Sequence, residues 1–385
     1  MRDRSFVALC ALIVVNQIGF GLITPVLPSF ARSFGLGAAD IGLVIGIYGF
    51  ARFIANVPAG QLSERLGRRP VLIAGTAITS VASLLMATSG NLPQLLAYRL
   101  LAGLGAATVL TGGQIMAGDL STSENRGRMM STYQGFFLFG VGVGPAPGGM
   151  LADAFGLRAP FVAYAIFSAL ACVVAFLVIR ETRPERPPMP VSVAGEPVKP
   201  PPPPERIRAT LLSRPFLLVG AVGFASFFAR TGGIFTVVPL LGRESIGLSA
   251  SHIGYAMTLI TLLNLATVYP SGLLNDRFGR KVVIAPAEIL SGVALVMFAF
   301  SGSLVPFFLS AALWGFSAGL AGPAPAAYVA DLASTEVRGR AFGYFRTVAD
   351  AGYIVGPLLL GVLLDRFGYA TPLLFTAAMV ATVGA

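Results

Sequence analysis

Long apolar segments alternate with short polar ones along nearly the whole chain. Most of the apolar segments approach the roughly 20 residues that a helix needs to cross about 30 Å of hydrocarbon. Backbone groups in lipid must be satisfied within the segment, so each segment is predicted to be a helix. The segments, numbered as spans 1 to 12, are 6–28, 41–62, 71–90, 93–117, 128–151, 160–180, 214–241, 252–274, 282–301, 304–329, 340–363 and 371–385.

The polar turn after span 2 occurs a second time. The residues from Gly60 to Arg69 (GQLSERLGRR) return in the second half of the chain, from Gly272 to Lys281 (GLLNDRFGRK). Three other landmarks return at the same offset: Asp119 as Asp331, Gly144-Pro145 as Gly356-Pro357, and Asp153 as Asp365. This constant offset predicts an internal duplication, and hence an all-α membrane protein of two six-helix bundles. By the same offset span 12 should extend beyond Ala385, so we expect it to be truncated.

A proline-rich segment separates the two halves. We assign residues 1–180 to an N-terminal bundle, 181–213 to a linker and 214–385 to a C-terminal bundle. The linker contains the run Pro200 to Pro204 among other prolines. Such a composition cannot form a packed core and predicts an extended, polyproline-like conformation.

The composition supports a membrane location and excludes several functions. Hydrophobic residues make up 55% of the 385 residues and charged residues 11%, whereas about a quarter of a soluble domain is charged. Two cysteines within apolar segments and a single histidine give no spacing typical of a metal site. The sequence also has no phosphate-binding loop and no visible cluster of a nucleophile with a base. We therefore predict that the protein is not an enzyme and binds neither cofactor nor metal.

The basic residues are distributed unequally between the two sides of the predicted membrane. Twelve lysines and arginines lie in the N-terminal segment and in the turns on its side, against four (Arg32, Arg158, Arg243 and Arg366) on the other. Cytoplasmic loops carry the excess of basic residues, so the N-terminus and the repeated turns are predicted to be cytoplasmic in the plasma (inner) membrane. The net charge of +10 is then mainly a topology signal, and we expect no nucleic-acid partner.

The repeated turn resembles motif A of the major facilitator superfamily, G-x-L-a-D-R-x-G-R-K. The duplication, the twelve spans and the central linker are similar to that family as well. The first copy has Glu64 where aspartate is usual, and the second has Asp276. The resemblance implies a loop that latches the two bundles in one access state; alternatively, its charges only anchor the topology. The candidate gating residues are Gly60, Glu64, Arg65, Gly67, Arg68, Gly272, Asp276, Arg277, Gly279 and Arg280.

Two further stretches resemble motifs of the same family. Residues 99–105 (RLLAGLG) in span 4 are similar to motif B, whose arginine, here Arg99, the resemblance implicates in proton transfer. Residues 140–149 (GVGVGPAPGG) in span 5 resemble motif C of drug/proton antiporters, and the second half keeps Gly356-Pro357 and Gly361 of this pattern. Motif C favours export by antiport, although a glycine-rich helix can also serve close packing alone.

Charged residues inside a membrane are costly and indicate function by default. Arg346 and Asp350 lie four residues apart in span 11 and can pair on one helical face. We predict that Asp350, with Arg346 and Arg99, couples transport to protons; a permanent structural ion pair is the alternative. Glu288 is in span 9, which the family resemblance places outside the cavity, so we predict a structural role for it.

Other polar and aromatic residues fall on spans that the resemblance places around a central cavity. Each of them is also compatible with ordinary contacts between helices. The candidate residues of the substrate cavity are Asn16, Gln17, Arg52, Gln114, Tyr133, Gln134, Arg230, Asn264, Trp314 and Tyr353.

The predicted function is secondary active transport, in which two bundles rock around a site near the membrane midplane. The resemblance favours proton-coupled efflux of drugs or small metabolites. An organic-anion or sugar carrier is an alternative, because the predicted spans contain four arginines but only two carboxylates, and the excess positive charge would suit an anion. A non-transporting receptor or a membrane enzyme on the same scaffold is a further alternative. The expected partners are a small-molecule substrate, protons and the lipid bilayer, and we expect a monomer.

Overall fold

The structure is a computed structural model that describes residues 4–122, 124–183, 204–322, 324–334 and 337–385. Over these residues the ordered elements are all helices, and eleven of them are long and apolar enough to cross a membrane. A twelfth apolar helix is shorter, at 15 residues. The helices are α1 (Arg4–Ile23), α2 (Ala38–Leu66), α3 (Arg68–Thr88), α4 (Leu92–Asp119), α5 (Arg126–Phe155), α6 (Ala159–Leu177), α7 (Arg214–Ser245), α8 (Ala250–Phe278), α9 (Arg280–Ala299), α10 (Leu304–Ala321 with Ala324–Leu332), α11 (Arg338–Phe367) and α12 (Ala370–Gly384). The predicted all-α membrane fold is confirmed.

The duplication extends to the backbone conformation of the turns. Among the described residues, those with a left-handed backbone are all glycines, which adopt it without the steric cost of a Cβ atom. They form three pairs, each separated by the offset of the repeat: Gly35 with Gly247, Gly67 with Gly279, and Gly156 with Gly368. Each pair ends or precedes equivalent helices, so the two halves share their turn geometry as well as their sequence landmarks.

The helices form two bundles that meet along two lines. α1 to α6 pack together as the first bundle and α7 to α12 as the second, with α2 against α11 and α5 against α8. Aromatic rings fill both interiors, for example Phe161 and Tyr164 in the first bundle and Phe298 and Phe307 in the second. These two lines of contact place α2, α5, α8 and α11 at the interface between the bundles.

The predicted linker is described only in part. Residues 184–203 lie outside the described residues. Pro204–Leu211 forms a helix, so the extended conformation predicted for this part of the linker is wrong. Proline is well accommodated at the first turn of a helix, and no other proline occurs in that segment to interrupt the helix.

Two helices, α5 at the interface and α7 beside it, are irregular at their centres. α5 is interrupted at Gly144, immediately before Pro145, whose missing N–H removes one helical hydrogen bond. α7 winds as a π-helix over Ala229–Val237, and the Thr236 hydroxyl donates to the Thr231 carbonyl oxygen at 2.8 Å. π-helical turns are frequent at functional sites, and this one contains one of the intramembrane arginines.

Candidate functional site

A carboxylate joins the two halves at the face opposite the charged turns. Asp365, near the end of α11, accepts hydrogen bonds from the backbone N–H groups of Ala38 and Ala39, both at 2.8 Å. These residues begin α2, whose first N–H groups have no partner within the helix. A carboxylate at this position satisfies them and interacts favourably with the helix dipole.

The second half repeats this arrangement. Asp153, near the end of α5, accepts hydrogen bonds from the N–H of Ala250 at 3.1 Å and of Ser251 at 2.8 Å, and from the Ser251 hydroxyl. Ala250 begins α8. Both the carboxylates and the helices that they cap are therefore equivalent in the two halves. We refer to the side of the protein that these contacts hold together as the closed face, and it has two-fold pseudosymmetry.

An ion pair completes the closed face. The Arg32 guanidinium binds the Glu244 carboxylate through two hydrogen bonds, Nε to Oε1 at 2.7 Å and Nη2 to Oε2 at 3.0 Å. The Tyr369 hydroxyl donates to the same carboxylate. The hydrogen bond to Glu244 raises the pKa of the Arg32 guanidinium. Burial, and then the hydrogen bond to Glu244, raise the pKa of the Tyr369 hydroxyl. Arg32 thus stays protonated over the physiological pH range and joins the halves through Glu244, while Tyr369 of the second half supports the same carboxylate.

Glycines bring α2 and α11 close together below this face. A Cβ atom at Gly42 would overlap the Pro357 carbonyl, and one at Gly49 would overlap the Tyr353 ring. The cross-bundle hydrogen bonds of the described chain all lie in this half of the membrane. The two bundles are therefore held together on the side away from the charged turns.

The motif C glycines of α5 face two neighbours. Gly144 and Gly148 press on the α1 backbone, whereas Gly149 presses on the start of α8 at Ala250. In α11, Gly352 makes the equivalent close approach to α7 at Phe224. Sequence comparison of the halves missed Gly352, which is the repeat counterpart of Gly140. These glycines support close packing of the broken helix in both halves.

Three intramembrane arginines gather near the centre of the interface. Arg99 of α4 is 3% exposed, and its Nε donates to the Val44 carbonyl oxygen at 3.3 Å. Its guanidinium lies 4.5 Å from the centre of the Tyr48 ring, and that of Arg52 lies 6.0 Å from the rings of both Tyr48 and Tyr353. Tyr353 belongs to α11, so Arg52 lies between the halves.

The third arginine joins this group through an aromatic ring. Arg99, Phe235 and Tyr353 line one cavity at the bundle interface, and Arg230 of α7 lies 5.6 Å from the centre of the Phe235 ring. Arg230 itself is exposed and does not line this cavity, so it borders the group through the Phe235 ring. We refer to Tyr48, Arg52, Arg99, Arg230 and Tyr353 as the arginine cluster.

The cluster arginines have no carboxylate partner among the described residues. The ion pairs found there join Arg32 to Glu244, Arg68 to Asp119, Arg280 to Asp331, and Arg346 to Asp350. In addition, Nη1 of Arg99 and Nε of Arg52 are buried without a hydrogen-bond partner within the described part of the chain. The site therefore holds excess positive charge and unused donors.

Asp350 and Arg346 form the ion pair that their spacing predicts. The Arg346 Nε lies 3.1 Å from the Asp350 Oδ2. The Asp350 side chain is 16% exposed, whereas that of Arg346 is 55% exposed and lies over the Phe227 ring. Tyr353 of the arginine cluster follows Asp350 by one turn of α11, which places the pair beside the cluster. Arg99 itself contacts Tyr48 and not this pair.

Other predicted cavity residues are distributed differently. Several are buried in contacts between helices: Asn16, which donates to the Ser168 hydroxyl at 3.5 Å, Gln17, Tyr133 and Trp314. Asn264 is partly buried on α8 where α10 packs. Gln114 and Gln134 are exposed in the half of the membrane near the charged turns. Polar side chains avoid lipid, so the two glutamines indicate a cavity open on that side.

Each charged turn contacts its own bundle. Arg68 Nε lies 2.7 Å from Asp119 Oδ2, and the equivalent Arg280 Nε lies 3.3 Å from Asp331 Oδ2. Glu64 is exposed. Asp276 lies in α8, and its side chain is outside what the structure describes. No described hydrogen bond from the first turn reaches the second bundle.

Glu181 secures the first turn, a role that the sequence did not predict. Its carboxylate accepts hydrogen bonds from the N–H groups of Arg68 at 2.8 Å and Arg69 at 3.1 Å, which begin α3. Burial favours the protonated acid, but these bonds and those from Thr182 and Arg183 outweigh it, and the pKa of Glu181 is lowered. The first residues assigned to the linker thus belong to the N-terminal bundle.

Glu288 lies away from the cluster. It is buried on α9, where the Ser226 hydroxyl donates to its Oε1 at 2.8 Å and Gly384 of α12 packs on its side chain. This position agrees with the structural role predicted for it. Within the described ranges, no three histidine, cysteine, aspartate or glutamate side chains come together as a metal site would require.

The chain is similar to transporters over almost its whole length. The sequence model of the Major Facilitator Superfamily matches residues 9–249 and 222–385. The class C tetracycline resistance protein of Escherichia coli is 27% identical over 368 residues, covering 93% of this chain and 89% of that protein. Multidrug resistance protein 2 of Bacillus subtilis is 26% identical, with 94% and 90% covered. A solved bacterial homologue of the human lysosomal transporter Spinster, inward-facing and unoccupied, has a TM-score of 0.79 at 16% identity, covering 100% of this chain and 95% of that one.

Proposed function

Because the chain belongs to the Major Facilitator Superfamily, it is a multi-pass membrane transporter of small molecules rather than an enzyme, and we propose that it exports its substrate in exchange for protons. The names of its relatives, which include tetracycline and multidrug resistance proteins, support export. The resemblance of residues 140–149 to motif C of drug/proton antiporters favours the same direction.

The position of Asp350 carries the proposal of proton coupling. Of the described carboxylates on the helices that meet between the bundles, Asp350 is the one far from both ends of its helix. Its partner Arg346, on the same helix, is more exposed, and its side chain can rotate away from Asp350 as the surroundings of α11 change. Asp350 then takes up a proton when Arg346 leaves, because a buried carboxylate without a positive partner favours the neutral form. It releases the proton when the pair forms again.

The described state represents one half of the cycle. The closed face is joined by Asp153, Asp365 and the Arg32–Glu244 pair, while the described hydrogen bonds of the first charged turn stay within its own bundle. With the turns in the cytoplasm, as the basic residues favour, this is the inward-facing state that admits substrate from the cell. Breaking the closed face would then release the substrate outside and admit a proton.

Inverted membrane vesicles provide the test of this function. Vesicles from cells that express the protein, acidified inside by respiration, should accumulate compounds from a panel that includes tetracycline, ethidium and fluorescein. Nigericin, which dissipates the pH gradient, should abolish accumulation, whereas control vesicles without the protein should show none. Accumulation that survives nigericin would contradict proton coupling, and accumulation only in right-side-out vesicles would contradict export.

A further inference from the structure

We propose that the arginine cluster binds the anionic group of the transported molecule, so that the substrate class is an amphiphilic organic anion carrying a carboxylate, sulfonate or phosphate. This inference rests on the proposed function for the fact of transport and adds the chemistry of the substrate. It starts from the cluster arginines, Arg52, Arg99 and Arg230, which have no carboxylate partner among the described residues.

Aromatic rings hold the three guanidinium groups but leave donors free. Each of the three lies over at least one ring: Arg99 over Tyr48, Arg52 over Tyr48 and Tyr353, and Arg230 over Phe235. A ring face attracts the cation but accepts no in-plane N–H hydrogen bond. Nη1 of Arg99 and Nε of Arg52 accordingly have no described acceptor, although both are buried. A buried donor without an acceptor costs free energy that a bound anion would recover.

The guanidinium groups suit an anionic group that offers two oxygen atoms. Arg99 and Tyr353, together with aromatic and aliphatic side chains that include Phe20 and Phe235, line a cavity of about 20 Å³. That volume holds little more than a water-sized group, so even an anionic head enters only when the surrounding side chains move. The guanidinium fork matches carboxylate, sulfonate and phosphate oxygens. The surrounding rings provide an apolar surface for the rest of the molecule.

The duplication indicates that this charge is not part of the scaffold. The positions equivalent to Arg52, Arg99 and Arg230 in the other half are Asn264, Ala311 and Ile18. By contrast, the carboxylates that close the far face, Asp153 and Asp365, are present in both halves. The scaffold therefore does not require three arginines at its centre, and their presence in one copy only points to a ligand.

A cationic substrate would find little complementary charge here. Asp350 is the carboxylate nearest in sequence to the cluster on α11, and it is already paired with Arg346 at 3.1 Å. Without a further described carboxylate between the bundles at this depth, a cation would meet net repulsion. An anion would meet attraction that strengthens as water is excluded.

Two dyes with the same ring system and opposite charge test the inference. Fluorescein is an anion and rhodamine 123 is a cation, and fluorescence polarisation measures their binding to the full-length protein in phosphatidylcholine nanodiscs. We expect fluorescein to bind more tightly than rhodamine 123. Arg52→Gln and Arg99→Gln should each weaken fluorescein binding at least about tenfold. Arg158→Gln, which removes an exposed arginine outside the cluster, should leave it unchanged.

The outcomes separate this inference from the proposed function. Equal or tighter binding of rhodamine 123, binding of neither dye, or fluorescein binding that is insensitive to both variants would overturn the anion site. If Arg99→Gln does not fold, Arg52→Gln and Arg99→Lys, which keeps the charge but loses the fork, still decide the question. Arginine-dependent fluorescein binding without transport driven by a pH gradient would support the anion site and contradict proton coupling.

The lipid composition identifies the source of the anion. A soluble organic anion predicts the same fluorescein affinity in discs of phosphatidylcholine alone and in discs that also contain phosphatidylglycerol. A lipid headgroup as the natural occupant predicts weaker fluorescein binding in the phosphatidylglycerol discs. This weakening should disappear in Arg52→Gln, since the variant no longer holds the competing headgroup.

Discussion

Arg32 and Glu244 occupy equivalent positions in the two halves, separated by the offset of the repeat, and form an ion pair with each other at 2.7 Å. A contact between equivalent positions lies on the pseudo-two-fold axis that relates the halves. The pair exists because the copies have diverged to opposite charges at this position. It therefore holds the closed face at its centre, between the carboxylate caps of Asp153 and Asp365.

Removal of this pair should shift the protein toward the state that is open at this face. Spin labels at Phe155→Cys and Phe367→Cys, exposed and equivalent positions at the ends of α5 and α11, report the separation in a background without Cys10 and Cys172. For a partly exposed pair worth about 0.5–1 kcal/mol, Arg32→Gln should raise the ratio of long to short distances roughly two- to fivefold. The exchange Arg32→Glu with Glu244→Arg should restore the original ratio. A distribution in Arg32→Gln equal to that in Arg158→Gln would contradict this role.

The motif C glycines predict a sharp contrast on one helix. A Cβ atom at Gly148 would overlap the Leu22 backbone, whereas one at Gly135 would meet nothing within 4 Å. Gly148→Ala should therefore destabilise the protein by about 1–3 kcal/mol through overpacking. Gly135→Ala should be neutral or stabilising by up to about 1 kcal/mol, because alanine favours the helix. Apparent melting temperatures in detergent measure both, and equal effects would show that α1 and α5 do not approach as described.

Glu181 should stabilise the first turn in a pH-dependent way. Its pKa in the folded protein is below the ordinary value of 4.5, so its contribution is complete above that pH and is lost as the pH falls through the lower, folded value. Glu181→Gln should cost about 0.5–1 kcal/mol at pH 7, as expected for loss of a charged cap. The difference in melting temperature from the wild type should shrink below pH 4. Glu124→Gln, an exposed change on the same face, should have little effect at either pH.

The sequence predicted the features that follow from the geometry of one helix or from the repeat. It missed the features that depend on how the two bundles pack against each other. The Arg346–Asp350 pair follows from their spacing on one helix, and the turn glycines follow from the duplication. The Arg32–Glu244 pair depends on how the two bundles meet. However, the two residues are separated by the offset of the repeat and have opposite charges, and this pattern could have predicted the pair. Glu181 was missed because it lies in the proline-rich segment and has no counterpart within the chain.

The orientation of polar residues was the hardest feature to predict. A helix in a membrane is apolar toward lipid and toward its neighbours, so the period of its apolar residues does not reveal which face lines the cavity. Asn16 and Trp314 therefore could not be separated from Arg52 and Tyr353 before the helices were packed. Tyr48, which lies against two arginines, was missed for the same reason.

The topology can be tested at four exposed helix ends. Leu66→Cys and Phe278→Cys lie beside the charged turns, and Phe155→Cys and Phe367→Cys lie at the closed face. In intact cells an impermeant maleimide should label only the second pair, because the basic residues favour cytoplasmic turns. All four should react after permeabilisation. Labelling of the first pair in intact cells would reverse the assigned orientation.

The most direct test of proton coupling is transport by Asp350→Asn in proteoliposomes. At one proton per substrate, a pH difference of one unit supports about tenfold accumulation. Wild type and Glu124→Gln, which also replaces a carboxylate by an amide but at an exposed position, should both approach that level. Asp350→Asn should show no accumulation but should retain exchange of labelled for unlabelled substrate without a gradient. Accumulation by a folded Asp350→Asn variant would contradict the account, because Asp350 would then be only the structural partner of Arg346.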